Sequence, residues 1–195
     1  MGAGANLYPA LLMLPWTERV VFTEYAPDNI EWLNENLADV PGDWAWKPFW
    51  DTMAGLPGYD DVEQPRRRLA ARHDILRLSI FDLPRRTWDL GSMFFVADGI
   101  SSDETEFESA VRSFLDALTP RAPFMMAFME GSTGYDVNGV SFPAVKISSG
   151  SVDALLAGLP VTGTRVLRTD KSARPLRPGY DAMLLVTGFV ADEPP

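Results

Sequence analysis

Two glycines one residue apart, Gly2 and Gly4, stand at the start of this chain, and helix-forming sequence (Asn6 to Leu14) follows at once. A glycine turn that opens a helix lets backbone approach a ligand closely, and the helix N-terminus adds partial positive charge. A short apolar strand, Arg19–Thr23, comes next and runs into Glu24, 20 residues past Gly4. Glycine turn, helix, strand and acid at this spacing make half of a nucleotide-binding βαβ unit. The acid is placed to accept bonds from both hydroxyls of a ribose. The strand that ordinarily feeds such a turn has no counterpart here, because the sequence starts at Met1.

Composition narrows the chemistry. A length of 195 residues suits one domain with a sizeable core, residues 1–195. The 46% apolar and 23% charged content is that of a soluble globular protein. A net charge of −10 argues against a nucleic-acid partner. The dense basic run Arg66-Arg67-Arg68 with Arg72 reads as a solvated helix face. There is no cysteine, so thiol catalysis, disulfides and thiolate metal sites are excluded. His73 is the one histidine, which excludes a histidine-rich metal site. No apolar run reaches a membrane span, and the N-terminus lacks a signal-peptide pattern; the expected location is cytoplasmic, with no membrane partner.

Along the chain, helices and strands alternate. Asp28 is expected to cap a helix bearing Ile30, Leu33 and Leu37, closed by Pro41-Gly42. Trp44, Trp46 and Trp50 fall in the loop beyond, either lining a pocket or packing as a lid. A helix is expected over Asp61 to Arg72, a strand over Ile75 to Phe81, and a buried strand over Met93 to Ala97 that ends in Asp98. Ser101 and Glu104 have the spacing of a capping box. The helix they open places Phe107, Val111, Phe114, Leu115 and Leu118 on one face. Phe124 to Met129 is another buried strand, ending in Glu130, and an extended excursion with Asn138-Gly139 follows. Ser151 is expected to cap a short helix through Leu156. Arg165–Thr169 and Met183–Val190 are the last strands. The loop between them, with Pro175, Pro178 and Gly179, is too short for a helical crossover, so they should pair antiparallel. The expected fold is α/β with a mostly parallel sheet and an antiparallel C-terminal strand pair.

In such sheets ligands bind beyond the carboxyl ends of the strands. Glu24, Asp98 and Glu130 fall there, and Asp181 lies just before the final strand. These acids can bind hydroxyls, orient an amine or accept a proton; equally, acids at strand ends cap helices. No metal-binding motif, nucleophile elbow or P-loop lysine accompanies them. A dinucleotide fingerprint needs a third glycine where Leu7 stands, which favours a cofactor without a pyrophosphate. S-adenosylmethionine meets that condition, with a ribose for Glu24 and a methionine tail for the glycine turn.

A series of short motifs then falls in one order: Gly2, Gly4 and Tyr8; Thr23-Glu24-Tyr25 with Asn29; Asp43-Trp44; Phe95-Val96-Ala97-Asp98 through Asp103; Met129-Glu130 with Tyr135; Ile147 to Leu156; Gly179-Tyr180-Asp181. In that order they resemble the small-molecule N-methyltransferases of the nicotinamide, phenylethanolamine and indolethylamine type, class I enzymes with a Rossmann-like sheet. The resemblance covers nearly the whole chain. It implies S-adenosylmethionine contacts from Gly2, Gly4, Tyr8, Glu24, Tyr25, Asn29, Ser79, Ile80, Phe95 and Val96. It implies an acceptor amine facing Asp98, Glu130, Asp181 and Tyr135.

Two departures accompany it. Ser79, followed by Ile80, stands where relatives carry an acid near the adenine. The family's N-terminal helices and central first strand have no counterpart, so the expectation is an N-terminally truncated chain, a homo-oligomer, or a missing segment supplied by another chain. The expected function is methyl transfer from S-adenosylmethionine to a small-molecule acceptor, an amine nitrogen. The alternative is a non-catalytic methyltransferase-like subunit that binds a partner chain through the exposed strand edges.

Overall fold

A computed structural model describes residues 1–38, 44–137, 139–170 and 176–192. The expected helix stop at Pro41-Gly42, the motif residue Asp43, the turn residue Asn138 and the loop residue Pro175 lie outside the described residues. The chain forms two compact units, one of Gly2–Ser79 and one of Ile80–Pro195 together with Met1.

The first unit holds α1 (Tyr8–Met13), β1 (Val20–Glu24), α2 (Pro27–Asn36), α3 (Lys47–Met53), α4 (Pro65–Ala71) and β2 (His73–Arg77). All four helices carry a proline in their first two positions, and none has a side-chain cap. Proline suits those positions because its φ is already helical and its missing N–H would have no partner there. This corrects two expectations. Asp28 sits inside the first turn of α2, whose N-cap is Ala26. The helix expected from Asp61 begins only at Pro65, after Gln64 turns into the left-handed region. β1 and β2 pair in parallel, with Phe22 opposite Ile75 and Glu24 opposite Arg77. The strand expected to reach Phe81 ends at Arg77. Leu7, Leu11, Leu14, Phe22, Leu33, Leu37, Trp50 and Leu69 fill the core of this unit. Leu7, Leu11 and Leu14 in and beside α1, and Leu33 and Leu37 in and beside α2, thus face inward at the spacing read from the sequence.

The second unit holds β3 (Gly91–Phe94), α5 (Glu104–Asp116), β4 (Pro123–Glu130), β5 (Tyr135–Val137), β6 (Val140–Phe142), α6 (Ser149–Ala157), β7 (Val161–Asp170) and β8 (Ala182–Val190). Its main sheet has the order β3-β4-β8-β7. β3 and β4 are parallel, whereas β4 with β8 and β7 with β8 are antiparallel. β5 and β6 form a separate antiparallel hairpin. The expected C-terminal antiparallel pair is present. The expected mostly parallel sheet is not, because β8 inserts between β4 and β7 and runs against both.

α5 covers this sheet with Phe107, Ala110, Val111, Phe114 and Leu115, all buried. Phe107 meets Phe128 edge-on at 5.2 Å, and Phe114 meets Phe124 at 6.4 Å. Such contacts add to the area effect of burying aromatic rings. The α5 cap is Asp103, whose carboxylate accepts the Thr105 amide at 2.8 Å; Ser101 instead accepts from Asp103. In α6 the N-cap is Ser148, with Ser151 as its reciprocal partner three residues on. Among the described residues, no helix is long and apolar enough to cross a membrane.

Candidate active site

In the first unit, the glycine turn and the strand-end acid are joined directly. Gly2 and Gly4 have φ of +58° and +57°, the left-handed region that favours glycine. The Ala3 amide donates to the Thr23 carbonyl at 3.2 Å, and the Gly4 amide to Oε2 of Glu24 at 2.7 Å. Oε1 of Glu24 accepts the amides of Tyr25 and Ala26 at 2.8 and 2.9 Å. A carboxylate offers about four acceptor directions. Three of these are taken by backbone, so Glu24 has one left for a ribose hydroxyl rather than two. The turn itself is open: a Cβ on Gly4 would meet only the Asn6 amide nitrogen, at 3.8 Å. These residues fit the ribose end of S-adenosylmethionine through one bond from Glu24 and the half-buried backbone of the glycine turn.

The other residues singled out around the cofactor stand as follows. Tyr8 opens α1, its ring 6.2 Å from Trp46 and 6.0 Å from Phe49, and burial pushes its phenol above the ordinary value. Trp46 and Trp44 pack at the edge of the core and Trp50 is inside it. Tyr25 is exposed under the Arg77 guanidinium, and Asn29 is half-buried in the first turn of α2. Ser79 is half-buried at the end of the unit, just after Leu78 donates to the Glu24 carbonyl at 3.1 Å.

In the second unit, Ile80 accepts a bond from the Ser113 hydroxyl at 2.5 Å through its carbonyl. Beyond β3 the backbone bends at Phe95, whose φ is +57°. A bulky residue rarely adopts this conformation, and it costs about 1–2 kcal/mol. Its amide still bonds the Ala127 carbonyl at 2.8 Å. The bend carries the chain through Val96 into a single turn, Ala97–Gly99, and turns Asp98 inward. Asp98 is only 3% exposed. Its Oδ2 accepts the Met129 amide at 2.8 Å, and its Oδ1 is buried with no hydrogen-bond partner among the described residues. Burial pushes this carboxyl up to about 6, against the opposing pull of the Met129 amide, its own backbone amide and the Arg177 charge.

Glu130, at the end of β4, is held the opposite way. Its Oε1 accepts the Ser149 amide at the start of α6, 2.9 Å away, and its Oε2 accepts Nε of Arg168 at 2.5 Å. The Ser149 amide first, and then Arg168, keep it below the usual carboxylate range despite burial. The Asp181 amide donates to the Glu130 carbonyl at 2.8 Å, which brings these two acids to one place. Both line a cleft of about 400 Å³ with Gly131, Lys146, Ile147, Ser148 and Arg168. That is within the range of small-molecule pockets. Asp98 and Tyr135 are not in its lining. Tyr135 lies on the β5–β6 hairpin, stacked on Phe142 with ring centres 5.1 Å apart, and Arg177 covers its ring at 5.1 Å. Arg177 also donates to the Gly134 carbonyl and the buried Ser132 hydroxyl, at 2.9 and 2.8 Å.

Lys146, Arg168 and Arg177 were not legible as site residues in the sequence. Each is a single basic residue in an otherwise ordinary strand or loop, with no motif spacing. Among the described residues, no group of acids and histidine is placed to hold a metal ion.

No protein-family model matches the chain. No curated protein sequence matches it either. Solved structures do match. A SAM-dependent methyltransferase from Methanosarcina mazei aligns with a TM-score of 0.61 at 12% identity, over 98% of this chain and 91% of that one. DhpI in its SAM–HEP complex aligns with a TM-score of 0.57 at 13% identity, over 96% and 75%. The N-methyltransferase NodS from Bradyrhizobium japonicum aligns with a TM-score of 0.55 at 12% identity, over 98% and 83%. Against a possible exported protein from Bordetella parapertussis, the chain spans only about half of the length, 54%, with a TM-score of 0.55 at 15% identity over 89% of this chain. Likeness at such identities concerns the fold, and the fold is the Rossmann-like α/β fold of SAM-dependent methyltransferases.

Proposed function

We propose that this chain moves a methyl group from S-adenosylmethionine to a small-molecule acceptor, at an amine nitrogen. The observation that carries the proposal is Asp98: a buried carboxyl with one oxygen unpartnered among the described residues, raised to about 6. Such a group can take a proton from an acceptor at neutral pH. When bound, S-adenosylmethionine would supply an electrophilic sulfonium methyl open to in-line attack by the acceptor's lone pair, with S-adenosylhomocysteine as the leaving group. Gly2, Gly4 and Glu24 hold the ribose end, with Tyr8, Tyr25 and Asn29 around it. Ser79 and Ile80 are assigned to the adenine, and Phe95 and Val96 to the cofactor without a particular part of it. Asp98 is assigned the amine proton, which requires its buried carboxyl to open toward the acceptor on binding, since it is not in the lining of the Glu130–Asp181 cleft. Glu130 is neutralised by Arg168, so it shapes the cleft, and Asp181 orients the amine. Tyr135 closes the acceptor side. The chain's contribution to rate is alignment and exclusion of water.

The family likeness in motif order supports this reading, as does the NodS neighbour, an N-methyltransferase by name. Titration calorimetry with S-adenosylhomocysteine tests it. Micromolar binding to the wild-type chain and to Asp98→Asn alike, with turnover lost in the variant, is the expected result. A folded chain that does not bind the compound would overturn the proposal.

A second reading, a non-catalytic subunit that binds a partner chain, has one observation in its favour. Within their own sheets β1 pairs only with β2, and β3 only with β4. Single backbone bonds, from Ala3 to Thr23 and from Met1 to Ser92, are what the described residues add on their other sides. An open strand edge is a template for pairing. Light scattering that finds a folded, cofactor-binding monomer counts against this reading.

A further inference from the structure

We propose that the cleft at the end of β4 takes an amino-carboxylate: an acceptor whose amine meets Asp181 and whose carboxylate meets Lys146. The proposal rests on the methyltransferase reading and names its acceptor class.

Four charged side chains line the cleft: Glu130, Asp181, Lys146 and Arg168. Two of them cancel. Glu130 and Arg168 are in contact at 2.5 Å, and the other Glu130 oxygen is occupied by the Ser149 amide. The remaining two do not. Among the described residues, neither the Lys146 ammonium nor the Asp181 carboxylate makes a hydrogen bond or an ion pair. Both are held in place by what flanks them. Val145 and Ile147 are 5% and 3% exposed, so the extended chain there turns the intervening Lys146 outward. Asp181 lies over Gly131, where a Cβ would stand 2.8 Å from the Asp181 carboxyl carbon.

The cleft therefore presents one positive and one negative group, each without a partner, beside an ion pair that is already complete. A plain amine would satisfy Asp181 and leave Lys146 alone. A simple anion would do the reverse. A molecule with an ammonium and a carboxylate satisfies both, and charge-assisted bonds are the strong ones.

The test is titration calorimetry on the full chain with glycine, β-alanine and 4-aminobutyrate. Each is paired with the amine left when its carboxylate is removed: methylamine, ethylamine or propylamine. At least one amino acid should bind about tenfold or more tightly than its paired amine. Lys146→Met should reduce that preference to about threefold or less, and Lys146→Arg should keep it. Lys146 is exposed, so circular dichroism of the variants should match the wild type. Paired amines that bind as tightly as the amino acids, or amino acids that do not bind at all, would overturn the proposal. S-adenosylhomocysteine is titrated separately. Its failure to bind, with amino-carboxylate binding intact, removes the methyl-transfer reading and leaves the cleft's ligand class standing.

Discussion

The backbone amide of Gly4 donates to Oε2 of Glu24 at 2.7 Å, and this bond fastens the glycine turn to the end of β1. Glu24 is thus both a candidate cofactor ligand and a structural anchor. Replacing it with alanine strips the acceptor from three amides, those of Gly4, Tyr25 and Ala26. A bond to a charged group is worth roughly 1.5–3 kcal/mol net, and water will reach some of the freed donors. Glu24→Ala should lose about 3 kcal/mol in urea unfolding, together with cofactor affinity. Glu24→Gln keeps one oxygen acceptor and should lose about half as much. An unchanged unfolding midpoint in Glu24→Ala would refute the anchoring role.

Two glycines with similar backbone angles should respond differently to alanine. Gly4 has room for a Cβ, so Gly4→Ala carries only the left-handed penalty, about 1 kcal/mol. Gly131, with φ of +65°, has the Asp181 carboxylate against it. Gly131→Ala should lose about 2–3 kcal/mol, because the collision adds to the backbone penalty. In an Asp181→Ala background the collision with the carboxylate is removed and only the residue 181 Cβ remains, 3.3 Å away, so Gly131→Ala should fall back to about 1 kcal/mol. Additive losses in that double-mutant cycle would show that Asp181 does not lie where the structure places it.

The Asp98 carboxyl makes stability fall as pH rises. Its folded value of about 6 is above the ordinary 3.8, so the folded chain holds the proton more tightly than the unfolded chain. That contribution is complete below pH 4 and is lost as pH rises through 6. A shift of this size corresponds to on the order of 3 kcal/mol between those limits. Asp98→Asn should remove most of that slope from a stability–pH profile. Wild-type turnover should rise with a midpoint near pH 6 as the carboxylate forms.

Glu130 should behave in the opposite sense. Its folded value is depressed, so its contribution is present above the unfolded value and is lost as pH falls through the folded one. Arg168 is 44% exposed, which screens the pair. Arg168→Gln should therefore cost no more than about 1 kcal/mol at neutral pH. The Glu130 titration followed by carbon-detected NMR should move upward in this variant, and stay below the ordinary value because the Ser149 amide remains.

Much of the local structure was legible because it depends on short-range periodicity. Leu7, Leu11 and Leu14 in and beside α1, the buried face of α5 from Phe107 to Leu115, and Phe124 and Met126 to Met129 of β4 sit inside as their spacing indicates. The short connection between β7 and β8 dictated their antiparallel pairing. Helix starts were read less well. Serine and aspartate compete at neighbouring positions, so Asp103 and Ser148 became caps in place of Ser101 and Ser151. Proline then decided the helix starts of the first unit.

What the residues alone determined is which side chains stand near strand ends: Glu24, Asp98, Glu130 and Asp181. Local backbone preference and alternation are enough for that. Only the tertiary structure decided what each acid is free to do. The Gly4 amide, 20 residues away, takes one oxygen of Glu24, the Met129 amide, 31 residues away, takes one oxygen of Asp98, and Arg168 reaches Glu130 from 38 residues away. The order of the main sheet was decided in the same way, by β8 running against β4 over eight paired positions. Partners and burial come from parts of the chain far apart in sequence, and no local pattern encodes which of them will meet.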